Sequence, residues 1–115
     1  MKPNAQFRLR IRLGETVAVG PGKIALLEAV AETGSISAAA RGLGMSYRRA
    51  WLLIDEMNKS LREPAVETAT GGTKGGGAAL TARGEKLIRL YRAIEQKARD
   101  STAGEISMLA RLLKD

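Results

Sequence analysis

The stretch Gly34–Trp51, GSISAAARGLGMSYRRAW, restricts the fold more than any other part of the chain. Three consecutive alanines, Ala38–Ala40, have too little side chain to hold two helices apart. Gly42 and Gly44 follow at once and supply the backbone freedom for a sharp turn. Ser35 or Ser37 is placed to cap a short helix, and Ser46 to cap a second one after the turn. Ile36, Ala39, Ala40 and Leu43 would form the inner side of the first. In SYRRAWLLIDEMNKSL, Ala50, Ile54, Met57 and Leu61 keep the 3.6-residue repeat, and Pro64 ends the run. Two helices crossing closely through a tight turn are expected.

The flanks fit a frame around that crossing. Phe7, Leu9, Ile11 and Leu13 alternate with Arg8, Arg10 and Arg12, which predicts a half-buried strand with an arginine-lined outer face. Gly14–Gly22 breaks the alternation, and Pro21 is placed to open a helix. In KIALLEAVAETG, Ile24, Leu27 and Ala31 share a face with neighbouring Val30, and Gly34 suits the C-cap. AVETAT and GAALT read as short strands joined by GGTKGG, a hairpin tip carrying Lys74. Thr81 can cap a final helix with a stripe of Leu87, Tyr91, Ile94 and Ala98, continuing through Thr102, Ile106, Leu109 and Leu113. Gly104 leaves open one long helix or a break near 101–104.

Strand, three helices, two-stranded hairpin and helix is the layout of a winged helix-turn-helix: mainly α with a small β-hairpin. We read residues 1–115 as one such domain, with the helix-turn-helix at about 35–60, the wing at about 65–81 and a long C-terminal dimerisation helix at about 82–113. The dimer expectation rests on the apolar stripe, which is longer than one small core needs.

Nineteen basic residues against twelve acidic give a net charge of +7. The excess is uneven: Met1–Leu13 carries four basic and no acidic residues, and Thr81–Arg99 six against two. Such a balance favours a polyanion, nucleic acid ahead of membrane, over the plainer reading of a basic surface without a partner. The chain has neither cysteine nor histidine, which removes thiol catalysis, cysteine–histidine zinc sites and imidazole acid–base chemistry. With no membrane-spanning run and no secretory segment, a cytoplasmic protein is expected. The acids form no pair tied to a base, nucleophile or metal spacing, so no enzyme centre is expected. GGTKGGG and GPGK each lack the hydroxyl residue after lysine that a P-loop requires.

The chemistry then concentrates at the start of the third helix. With Ala50, Ile54 and Met57 inward, Tyr47, Arg48 and Trp51 point outward and Arg49 lies at the flank. Arginine can pair bidentately with guanine or position a phosphate, and free N–H groups at a helix start also suit a phosphate. Against this, Arg48 and Arg49 could simply pair with Asp55 or Glu56. Trp51 could cover the core where the hairpin docks, and Tyr47 could shield the turn. Lys74 could approach a backbone phosphate or belong to a loop without contacts.

The segment TGSISAAARGLGMSYRRAWLLIDEMN, Thr33–Asn58, resembles the helix-turn-helix of ModE-type molybdate-responsive transcriptional regulators, and GGTKGGGAALTARGEKLI, Gly71–Ile88, resembles their wing. GSISAAARGLGMS and LTARGEKL are also similar to the broader LysR-type class. FRLRIRL, SYRRAW and GGTKGGG favour the ModE type. The resemblance implies a dimeric winged helix that binds double-stranded operator DNA, with Ser46, Tyr47, Arg48, Arg49, Trp51 and Lys74 at the contact. It also implies molybdate-binding domains after the last helix. These 115 residues do not contain them, so no cofactor and no oxyanion ligand is expected here; a stand-alone DNA-binding protein, one with a separate sensor protein and a piece of a longer chain all fit. The competing readings are a winged-helix module that binds an acidic protein and, more distantly, a small molybdate- or nucleotide-handling protein.

Overall fold

The computed structural model describes residues 2–69 and 77–114. An N-terminal hairpin comes first, β1 (Ile11–Leu13) and β2 (Thr16–Val19), followed by α1 (Pro21–Thr33), α2 (Ile36–Gly42) and α3 (Tyr47–Ser60). The wing strands β3 (Val66–Ala69) and β4 (Gly77–Leu80) precede the long α4 (Ala82–Ala110). The molecule is mainly helical with small antiparallel hairpins, a winged helix-turn-helix.

Local chemistry sets the helix ends. Pro21 opens α1, where its missing N–H costs no helical hydrogen bond. Gly34 closes α1 at φ 70°, in the left-handed region, and its N–H bonds the Val30 carbonyl. Ser35 and Ser46 cap α2 and α3, accepting from the N–H of Ala38 and Arg49. Thr81 caps α4 by accepting from Gly84 N–H.

Two glycine readings need refinement. Gly44 makes the turn at φ 68°, whereas Gly42 is still helical. Gly104 does not break α4, which runs unbroken for 29 residues.

The core gathers around α1. Ile24, Leu26, Leu27 and Val30 are fully covered, with Ala39 and Ala40 of α2 and Ala50, Ile54 and Met57 of α3 packed against them. Ala31, expected inside, is exposed although it shares the face of Ile24 and Leu27, because it lies in the last turn of α1; Leu26 is buried as well and widens the inner face. Leu43 is likewise exposed at the turn. On the wing side, Val66 pairs with Leu80 and Ala69 with Gly77. Ala78 N–H donates to the Gly34 carbonyl at 3.0 Å, so the wing is pinned to the end of α1.

The N-terminal strand departs most from expectation. It is three residues long and exposed throughout, with Ile11 and Leu13 on the surface; Phe7 is half-buried and Leu9 packs against the core. β2, which the alternation did not predict, pairs with β1 after a turn at Gly14, φ 60°. Among the described residues no element covers Ile11 and Leu13, so the apolar side of this two-stranded hairpin stays open. Tyr91 of α4 donates to the Leu9 carbonyl at 2.9 Å and holds the arm against the body. Arg92 binds both Glu28 of α1 and Glu95, locking α4 across α1. Among the described residues, no helix is long and apolar enough to cross a membrane.

Candidate nucleic-acid interface

The candidate surface is built from the α2–α3 crossing. Because Ala39 and Ala40 are almost fully covered, α3 lies close over α2, and the first turn of α3 projects away from the body. Tyr47, Arg48, Arg49, Trp51 and Leu52 are all exposed there, while Ala50 faces the core. Tyr47 and Trp51 are four residues apart, as are Arg48 and Leu52, so each pair stacks along the helix surface. The Ser46 hydroxyl accepts from Arg49 N–H at 3.1 Å, which leaves its own hydrogen free to donate.

The acids that could have neutralised the arginine pair are engaged elsewhere. Asp55 pairs with Lys59 one turn on, at 2.8 Å, and holds the Lys59 amine above its ordinary pKa. Glu56 binds Lys23, a buried lysine that also donates to the Val17 carbonyl. Among the described residues, neither Arg48 nor Arg49 makes an ion pair, and both side chains are exposed to solvent. The alternative that they pair with Asp55 or Glu56 is not what the structure shows.

Two hollows adjoin this turn. One of about 400 Å³ lies between α3 and the wing, lined by Ser35, Ser37, Tyr47, Trp51, Thr68 and Ala78 among others. The second, about 330 Å³, is lined by Tyr47, Arg48, Trp51 and Leu52. Trp51 borders both. It shares the first with Thr68, Ala69, Gly77 and Ala78 of the wing strands, yet 43% of it remains exposed. Lys74, expected at the wing tip, lies outside the described residues.

The wing is fixed to α3 through Asn58. Its side-chain oxygen accepts from Ala65 N–H at 2.8 Å, and its amide donates to the Val66 carbonyl at 3.2 Å. Sequence reasoning missed this residue, and also Leu52 and Lys23. Asn58 near the end of an amphipathic helix, just before a proline-containing turn, was the available signal for such a clamp. Among the described residues, no group of three or more acids could hold a metal ion.

Residues 22–85 match the family described as "Bacterial regulatory helix-turn-helix protein, lysR family". Among curated proteins, the chain is 44% identical to the Transcriptional regulator ModE of Yersinia pestis over 95% of this chain and 43% of that protein. It is 44% identical to the DNA-binding transcriptional dual regulator ModE of Escherichia coli K12, covering 84% of this chain and 38% of that one. It is 54% identical to the Molybdenum-pterin-binding protein MopB of Rhodobacter capsulatus over 67% of this chain and 28% of that one. The chain thus spans less than half the length of these curated relatives. Among solved structures, a CbnR_DBD-DNA complex superposes with TM-score 0.56 at 26% identity, covering 78% of this chain and 95% of that one.

Proposed function

Because the chain belongs to the LysR family of bacterial regulatory helix-turn-helix proteins, we propose that it is a sequence-specific DNA-binding transcriptional regulator of the ModE type, acting as a dimer on a palindromic operator. The observation that carries this reading is the exposed Arg48–Arg49 pair at the start of α3, whose potential acidic partners are bound elsewhere. Arg48 reads a base edge in the major groove and Arg49 a flanking phosphate. Ser46 donates to a phosphate at the helix start, Tyr47 and Trp51 line the contact, and Lys74 approaches the backbone from the wing. The relatives named as transcriptional regulators and the DNA complex of a similar domain favour DNA over an acidic protein partner.

The dimer rests on apolar surface that the fold leaves open. Leu90, Ile94, Met108, Leu109, Leu112 and Leu113 are exposed along and just beyond α4, and Ile11 and Leu13 on the N-terminal hairpin. Two copies burying these residues together would set their α3 helices in neighbouring major-groove turns, about 34–36 Å apart or a multiple of that. The reading carries a cytoplasmic location, no catalytic role, and no cofactor or oxyanion ligand among these residues.

Selection from a random duplex library tests it. A palindromic sequence should be enriched, with binding that weakens steeply as salt rises, because neutralised phosphates release counterions. An unenriched pool, or binding indifferent to salt, would sink the proposal.

A further inference from the structure

The first turns of α3 carry more carbon surface than phosphate or hydrogen-bond recognition requires. Tyr47 and Leu52 are each 55% exposed, and Trp51 stands between them. With Arg48 they line the shallow, open hollow of about 330 Å³ on the side of α3 away from buried Ala50 and Met57. Leucine has no polar atom, so its place beside an unpaired guanidinium adds nothing to phosphate binding. Such a pairing suits a ligand that brings an apolar group to the same spot as an anionic or hydrogen-bonding one.

In the major groove the base edges present donors and acceptors, and one apolar substituent, the 5-methyl of thymine. We infer that Tyr47, Trp51 and Leu52 form a reading surface for thymine methyl groups beside the base or phosphate that Arg48 engages, with Leu52 a specificity-determining residue. The inference rests on the DNA-binding reading and refines it: Arg48 supplies the polar contact, and the hollow selects the neighbouring base by its methyl.

Deoxyuridine isolates the effect, because uracil keeps every hydrogen-bonding atom of thymine and lacks only the methyl. The unaltered protein first enriches a duplex from a random library, and that duplex is then remade with deoxyuridine at each thymidine in turn. At one or two positions in each half-site the change should weaken binding about fourfold for each buried methyl removed. Leu52→Ala, at an exposed site, should keep wild-type helicity and bind the thymine and uracil duplexes with much closer affinities.

Equal binding of every uracil duplex by the unaltered protein would overturn the inference while leaving DNA recognition intact. So would a folded Leu52→Ala protein that keeps the whole thymine preference, or an enriched sequence with no thymine in its half-sites. A library that yields no enriched duplex would instead defeat the DNA reading itself, and the methyl reading with it.

Discussion

Gly84, in the first turn of α4, lies against the carbonyl of Ala65 so closely that a β-carbon there would overlap the oxygen and sit 3.2 Å from the carbonyl carbon. The same oxygen accepts from Thr81 N–H at 2.9 Å, and the Thr81 hydroxyl donates to the Pro64 carbonyl at 2.7 Å. The start of α4 is therefore seated on the backbone that leads into the wing. Alanine usually gains about 1 kcal/mol over glycine inside a helix. Here the obstacle is backbone held by two hydrogen bonds, so overpacking of about 1–3 kcal/mol should outweigh that gain. Gly84→Ala should lower the urea midpoint, whereas Gly104→Ala, which meets nothing within 4 Å, should raise it.

Asn58 couples α3 to the wing, and its loss should be felt in both. Asn58→Leu removes the acceptor for Ala65 N–H and the donor to the Val66 carbonyl, and Ala65 and Val66 are buried. Each buried backbone group left unsatisfied costs about 1–3 kcal/mol. Thermal melting should fall well below wild type, and hydrogen exchange should speed up at Ala65 and Val66 before the middle of α1. Unchanged exchange there would show that the clamp contributes nothing to the wing's position.

Features decided by neighbouring residues were readable before any fold was known. Ser46 and Thr81 cap their helices, Gly34 and Gly44 take positive φ, and Pro21 opens α1, because each depends only on backbone groups a few positions away. What the sequence concealed depends on distant partners. Lys23 would ordinarily be exposed, and only the Val17 carbonyl and Glu56, 33 residues on, explain its burial. Ile11 and Leu13 alternate as buried residues should, but burial needs a covering layer that alternation cannot specify. The site was legible in part for the same reason. Arg48 and Arg49 follow from helical phase, whereas their lack of an acid partner depends on where Lys23 and Lys59 reach.

Tyr91 should make stability fall on the alkaline side. Burial, helped by the Glu95 carboxylate, pushes its phenol above the ordinary value of 10.0. The folded chain then keeps a proton that the unfolded chain releases, so this stabilisation is complete below about pH 10 and is lost as pH rises through the higher folded value. Tyr91→Phe removes the hydrogen bond to Leu9 and should cost about 1 kcal/mol near neutrality. Urea titrations at successive pH values should find the gap between the two proteins narrowing above about pH 10. A gap constant with pH would mean that the phenol does not titrate as the fold implies.

Arg48 and Arg49 are adjacent in sequence but should fail differently. Arg48 lines the hollow with Tyr47, Trp51 and Leu52 and is the arginine proposed to meet the base edge, whereas Arg49 does not line it and is proposed to meet the backbone. Arg48→Ala should cost about 1–3 kcal/mol on the preferred duplex and much less on variants changed at the base it reads, flattening preference at one position in each half-site. Arg49→Ala should weaken all duplexes alike and reduce the slope of log affinity against log salt by about 0.9 for each phosphate no longer neutralised. Both side chains are exposed and free of ion pairs among the described residues, so neither substitution should disturb the melting temperature. Fluorescence anisotropy on a panel of singly substituted duplexes at several salt concentrations separates the two roles. If Arg48→Ala lowers every duplex equally and Arg49→Ala flattens one position, the assignments are reversed and α3 enters the groove rotated from the orientation proposed. If both leave affinity and slope unchanged, the first turn of α3 is not the reading surface.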